Sequence, residues 1–217
     1  MTAVEPFAIL LGGALEVDDR VRRLVRGARA IAADGGMAHA RALGLEPELW
    51  VGDFDSTAPD LIAAHAGTPR LPFAAEKNFT DGELAVEQAI ERGAKRLVLV
   101  GAFGGQRTDH ALMHLLHAVM LAERGLDVVL TSGSEEAVPL LPGHVELDLP
   151  AGSLFSVIGF TALVGLSLGN AKYPLDRADI GFGASRTISN VAAGRVRFDL
   201  AEGRALIVAR PHDFSGA

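Results

Sequence analysis

From residue 7 to residue 131 short apolar runs alternate with segments whose apolar positions recur at helical spacing. The apolar runs at 7–11, 28–33, 49–51, 70–73, 96–100 and 127–131 read as strands. Between them, 17–25, 37–43, 58–66, a segment ending at Arg92 and 110–123 read as helices, the second closed by Gly44. Strands and helices that alternate in this way predict an α/β domain with a doubly wound, mostly parallel sheet, and such sheets bind ligands at the carboxyl ends of their strands. Near Ser134 the pattern changes. Pro139, Pro142 and Pro150 punctuate the chain, and the short runs at 145–149, 153–160, 163–168, 196–200 and 205–209 are split by glycine-containing turns. The expectation is an N-terminal domain over residues 1–138 and a small all-β sandwich domain over 139–217.

Four polar stretches fall at the ends of predicted strands. In Gly52-Asp53-Phe54-Asp55-Ser56 two carboxylates stand two residues apart. If the segment stays extended, both point to one face, and paired oxygen ligands suit a divalent cation such as Mg²⁺ carrying phosphates. The same letters also describe a turn followed by a helix cap. Asp34-Gly35-Gly36 lets backbone approach a ligand closely, or makes an ordinary turn. Thr80 and Asp81 are placed to cap the helix running to Arg92, with Glu83 in its first turn. That role leaves Lys77 and Asn78 unexplained, and it makes Asp81 a third carboxylate at the same sheet edge. In the fourth stretch, Gly104, Gly105 and Arg107 suit phosphate oxygens, while Asp109 reads equally well as the N-cap of the helix that follows. Trp50 reads as packing beneath the acidic pair, and Tyr173 as core filling.

Composition narrows the chemistry. With 49% hydrophobic and 22% charged residues the chain is globular and not disordered. A net charge of -7 argues against nucleic acid as the main partner, so any phosphate site must be local. Without cysteine there are no disulfides, thiolate metal sites or thiol nucleophiles. The first residues carry an acid and no basic stretch ahead of their apolar run, and the longest uncharged run is broken by Gly159, Gly165 and Gly169. The expectation is a cytoplasmic protein with no membrane partner.

Taken together and in order, DGG at 34–36, GDFDS at 52–56, the run from Lys77 to Glu83 and the glycine loop ending at His110 resemble the thiamin pyrophosphokinase family. Lys172-Tyr173-Pro174-Leu175 and Ile188-Ser189-Asn190 resemble two further segments of that family. The resemblance implies a nucleotide-binding domain followed by a thiamin-binding β-sandwich. It also implies a homodimer with active sites between subunits, and transfer of the pyrophosphoryl group of ATP to thiamin with release of AMP. Asp53, Asp55 and Asp81 would hold Mg²⁺ and the phosphates. Asp34, Thr80, Arg107 and Asp109 would complete the ATP site, helped by Gly35, Gly36, Lys77, Asn78, Gly104, Gly105 and His110. Thr187, Ser189 and Asn190 would meet thiamin. Two features depart from the family pattern: Asn78 stands where Asp is usual, and Gln106 is an extra residue in the glycine loop. A diphosphokinase for another heterocyclic alcohol, of hydroxymethylpterin type, and a non-catalytic sensor of ATP–Mg²⁺ are the competing readings.

Overall fold

The computed structural model describes residues 5–55, 57–73, 79–105 and 107–216. The chain divides into two compact units. One comprises residues up to His117 together with Gly125–Gly133, and the other comprises Ala118–Arg124 and Ser134–Ala217.

The first unit is built on β1 (Phe7–Leu10), β2 (Arg29–Ala33), β3 (Leu49–Gly52), β4 (Arg70–Pro72), β5 (Arg96–Val100) and β6 (Asp127–Thr131). All are parallel, in the order β6-β5-β1-β2-β3-β4. β1 and β3 are buried along their whole length, as strands covered on both faces must be. Ala8, Leu10, Ala30, Ala32, Trp50, Val98 and Val100 point to one face, where they meet Val21 and Val25 from and beside α1 (Asp19–Leu24) and Leu43 of α2 (Ala40–Leu43). Pleating sends the alternate residues Ile9, Ile31, Leu97 and Leu99 the other way, and they too are buried. α3 (Pro59–Ala64) and α4 (Asp81–Glu91) follow β3 and β4, and α5 (Thr108–Glu123) follows β5. The chain proceeds outward from β1 through β4, then returns to the other side of β1 as β5. That reversal opens a crevice above the carboxyl ends of β1 and β5, the usual ligand position in such sheets.

The segment after β2 differs from expectation. The helix predicted from Met37 is a 3-10 turn over Asp34–His39 that passes into α2, which Gly44 ends in the left-handed conformation at φ 65°. The turn lies directly on β1. A methyl group added at Gly36 would come within 2.0 Å of the Leu10 carbonyl oxygen. Backbone cannot yield to that overlap cheaply, so Gly36→Ala is expected to destabilise the protein by about 1–3 kcal/mol or more. A lowered denaturant midpoint at unchanged m-value is the measurement that checks it.

The second unit contains β7 (Glu136–Leu140), β8 (Gly143–Leu147), β9 (Leu154–Gly159), β10 (Leu163–Ala171), β11 (Leu175–Ile180), β12 (Asn190–Leu200) and β13 (Ala205–Arg210). Their pairings are all antiparallel. β7, β13 and β9 are consecutive neighbours, and β9 pairs with the start of β12 at Asn190 and Val191. β12 pairs with β10 from Ala192 onward, across a register shift, and with β8 beyond Gly194, which sits at φ 115°, so a single strand serves two sets of partners. Leu140, Phe155, Val157, Leu166, Leu168, Val196, Phe198 and Ile207 form the core. Tyr173 does not fill it; its side chain is exposed, as are Phe182 and Ile188.

Candidate active site

Every loop that leaves the carboxyl ends of β1, β2, β3 and β5 contributes to one cleft of about 770 Å³ in the first unit. Gly12, Gly13 and Ala14 enter from β1, Asp34 and Gly35 from β2, Asp53 from β3, and Gly101 to Phe103, Gly105 and Arg107 from β5. Thr80, Asp81 and Gly82 bring the N-terminus of α4 to the same wall, and His110 and His114 bring α5. A volume of this size suits a nucleotide-sized ligand.

Asp34 is fixed from two sides. The Trp50 indole, fully buried, donates to the Asp34 carbonyl at 2.9 Å, and the Thr57 hydroxyl donates to its carboxylate at 3.2 Å. Asp34 itself sits at φ 42°, a left-handed conformation that the turn imposes on a non-glycine residue.

The acidic pair is arranged differently from the extended expectation. β3 ends at Gly52, and Phe54 takes φ 61°, so the chain turns between the two acids. The Asp55 amide then donates to the Asp53 carboxylate at 3.3 Å. Asp53 lines the cleft; Asp55 is exposed and is not among the lining residues. Phe54 packs edge-on against Trp50, with centroids 5.2 Å apart, which accounts for the turn inward. The carboxylates that share the cleft are therefore Asp34, Asp53 and Asp81. Among the described residues no three His, Cys, Asp or Glu side chains form a ready metal cage. Mg²⁺ is commonly held by one or two carboxylates together with substrate phosphates and waters. Oxygen donors facing one cleft fit that ion.

Thr80 caps α4 as expected. Its hydroxyl accepts from the Glu83 amide at 3.2 Å, and the Glu83 carboxylate accepts from the Thr80 amide at 2.8 Å, a complete capping box. The cap holds the positive end of the α4 dipole against the cleft, where an anion is favoured. Thr80→Ala is expected to cost about 1 kcal/mol in thermal or denaturant unfolding, while Thr80→Ser keeps most of that stability.

Arg107 reaches the cleft with its guanidinium held in a two-pronged pair with Asp109, Nε to Oδ1 at 2.9 Å and Nη2 to Oδ2 at 2.7 Å. Asp109 is the second residue of α5, and its carboxylate is committed to this fork. The hydrogen bond from Arg107 holds the Asp109 carboxyl far below the usual carboxylate range, and the same bond raises Arg107. Both side chains are about two-thirds exposed, so the pair serves to aim the guanidinium and adds little to stability. His114 is pushed down to about 4, first by burial and then by the neighbouring His110 and His117 charges, and so faces the cleft as a neutral ring at pH 7.

The remaining expectations divide. Gly35 and Gly105 line the cleft and His110 joins them. Gly36 presses on β1, and a methyl group added at Gly104, which sits at φ 81°, would lie 3.3 Å from the Ala14 methyl; neither glycine lines the cleft, and both shape the backbone around it. Lys77, Asn78 and Gln106, together with Ser56, lie outside the described residues. Gly12, Gly13, Ala14, Phe79 and His114 were not singled out as site residues by sequence reasoning. The glycine pair after the first strand was the available signal, since the reversal beside β1 makes its following loop a wall of the crevice.

In the second unit, Thr187 and Asn190 are buried. The Thr187 hydroxyl donates to the Val157 carbonyl at 2.6 Å. The Asn190 amide group donates to the Tyr173 carbonyl and accepts from the Tyr173 amide, so it fastens the Lys172-to-Leu175 segment to β12 as a strand partner would. Ser189, exposed at φ 60°, presents its side chain at the surface.

Comparison with known proteins bears on this geometry. The family model described as "Thiamin pyrophosphokinase, catalytic domain" matches residues 22–130. Thiamine pyrophosphokinase of Bacillus subtilis is 29% identical over 183 residues, covering 82% of this chain and 85% of that one. A solved structure of the B. subtilis protein superposes with TM-score 0.83 at 22% identity, covering 96% of this chain and all of that one. A thiamin pyrophosphokinase from Geobacillus thermodenitrificans gives TM-score 0.79 at 25% identity over 98% of this chain and all of its own.

Proposed function

Because the chain belongs to the thiamin pyrophosphokinase family and is accordingly a diphosphotransferase, we propose that it moves the pyrophosphoryl group of ATP in one piece to the hydroxyethyl oxygen of thiamin, giving thiamin diphosphate and AMP. The observation that carries the reading is the convergence of Asp34, Asp53, Asp81, Arg107 and the glycine loops on one cleft. In the reaction the alcohol oxygen forms a bond to the β-phosphorus and releases its proton to water, the bond from that phosphorus to the α–β bridging oxygen breaks, and AMP leaves with the electron pair.

Asp53 and Asp81, which line the same cleft as Asp34, are the residues that would hold Mg²⁺, which when bound would offset polyphosphate charge and align the ATP. Arg107, its Nε and Nη2 paired with Asp109, offers its remaining guanidinium N–H groups to the phosphate oxygens as charge shifts toward the leaving AMP. The backbone amides of the glycine loops and the capped end of α4 bind the triphosphate without needing to reorganise. The α/β unit is then the catalytic domain, and the β-sandwich unit the thiamin-binding one. In the second unit Ser189, on the Asn190-anchored loop, is the hydroxyl offered to the pyrimidine, while Thr187 and Asn190 hold the loop's shape. Tyr173, Phe182 and Ile188 leave apolar surface on the same unit, which suits a homodimer with active sites at the subunit interface. No described helix is long and apolar enough to cross a membrane; with ATP as co-substrate, a cytoplasmic location goes with this reading.

The test is a coupled assay for AMP with ATP and Mg²⁺, supplied with thiamin or with a hydroxymethylpterin. AMP release that requires thiamin supports the reading. Release with the pterin alone gives the chemistry to another acceptor, and nucleotide binding without release under either condition makes the protein a sensor.

A further inference from the structure

The loops after β1, β2 and β5 touch one another at backbone distance. The Gly13 amide donates to the Gly101 carbonyl at 2.9 Å. A methyl group on Gly13 would lie 2.4 Å from that same oxygen, and one on Gly105 would lie 3.2 Å from the Gly13 Cα. Across this junction reaches the side chain of His39, at the end of the 3-10 turn, whose Nε2 is 2.9 Å from the Gly13 carbonyl oxygen. A carbonyl oxygen only accepts, so Nε2 carries the proton. Nothing in the chemistry assigned above uses this residue.

Its position has a consequence for the peptide between Gly13 and Ala14. In a trans peptide the carbonyl and the following amide point in opposite directions, so pinning the Gly13 oxygen to His39 turns the Ala14 N–H away from the imidazole. Ala14 and Gly105 line the cleft, and the Ala14 nitrogen is 3.8 Å from the position a Gly105 methyl would take. Released from His39, the same peptide is free to rotate and present its oxygen to an anion, which would repel it.

We propose that His39 is a positioning residue for the nucleotide: it holds the Gly13–Ala14 peptide so that an N–H, and not a C=O, faces the phosphates in the cleft. The proposal rests on the ATP reading of that cleft. It is separable from it in the laboratory.

His39→Phe fills the space without a donor, and His39→Gln restores one at similar reach. With thermal unfolding as the check on folding, His39→Phe is expected to raise KM for Mg–ATP about tenfold, the size of one lost hydrogen bond, with KM for thiamin unchanged. His39→Gln is expected to recover most of that loss. Unchanged KM for Mg–ATP in His39→Phe overturns the proposal, as does equal impairment toward both substrates or failure of Gln to recover. If the wild-type protein releases no AMP, the catalytic reading fails, and calorimetric titration with Mg²⁺ and α,β-methylene ATP takes over. A weaker Kd in His39→Phe that Gln repairs then supports the positioning role, and an unaltered Kd overturns it.

Discussion

Asp53→Asn is expected to lower kcat on the order of 10²-fold or more, equivalent to about 3 kcal/mol of transition-state stabilisation, while the protein stays folded. The substitution keeps size and shape and removes the negative charge with which Asp53 would hold the proposed Mg²⁺. Asp53 is only partly buried, so its loss leaves no hole in the core. The informative control is Asp55→Asn. Sequence spacing alone makes the two acids equivalent, whereas the turn at Phe54 puts Asp53 in the cleft and Asp55 at the surface. The Asp55 variant is therefore expected to retain far more activity than the Asp53 variant. Steady-state AMP release by both, beside their thermal unfolding, checks the pair; equal losses would show that both carboxylates serve the metal.

Arg107→Lys is expected to cost on the order of 10²-fold in kcat even though the positive charge is kept. A guanidinium offers two parallel donors in a fixed plane, and Asp109 holds that plane through bonds of 2.9 and 2.7 Å. An ammonium offers a point charge on a flexible stem. Stability should hardly change, since the pair is largely exposed and screened. Comparing kcat and KM for Mg–ATP between the wild-type and Lys proteins checks this. A loss confined to KM would mean that Arg107 binds ground and transition states alike.

The parts of the fold that were legible are those where local pattern and packing agree. The runs at Arg96–Val100 and Asp127–Thr131 have the predicted bounds because each is a continuous β-branched and leucine run between polar flanks. β7 and β11 were not anticipated. Pro139 removes a ladder donor from the first, and Leu-Asp-Arg-Ala-Asp-Ile hides the second among charged residues, yet antiparallel pairing with β13 and β10 holds both. The turn at Asp34 was missed as a 3-10 segment because it depends on a tertiary contact, the close seat of Gly36 on Leu10.

Residue types in the site were readable, but their duties were less so. Acids at strand ends point to a cation and phosphate chemistry, an expectation that the proposed function retains. Which acid faces the cleft was decided by one backbone angle, at Phe54, and that angle follows from an aromatic contact with Trp50. Asp109 was readable as a helix cap or an ATP ligand; the fork with Arg107 appears only when the side chains are placed. Asn190 likewise combines a polar turn residue with a buried role, bonding both backbone groups of Tyr173.

On the proposed function, a metal-bound triphosphate lies where the loops after β1, β2, β3 and β5 meet. A crystal structure with Mg²⁺ and α,β-methylene ATP, in which the bond that breaks is replaced, tests it most directly. The expected result is the β- and γ-phosphates between Gly13, Gly105 and Arg107, with the ion on Asp53 or Asp81. Nucleotide bound in any other place, or phosphates there with both carboxylates turned away from the ion, would contradict it.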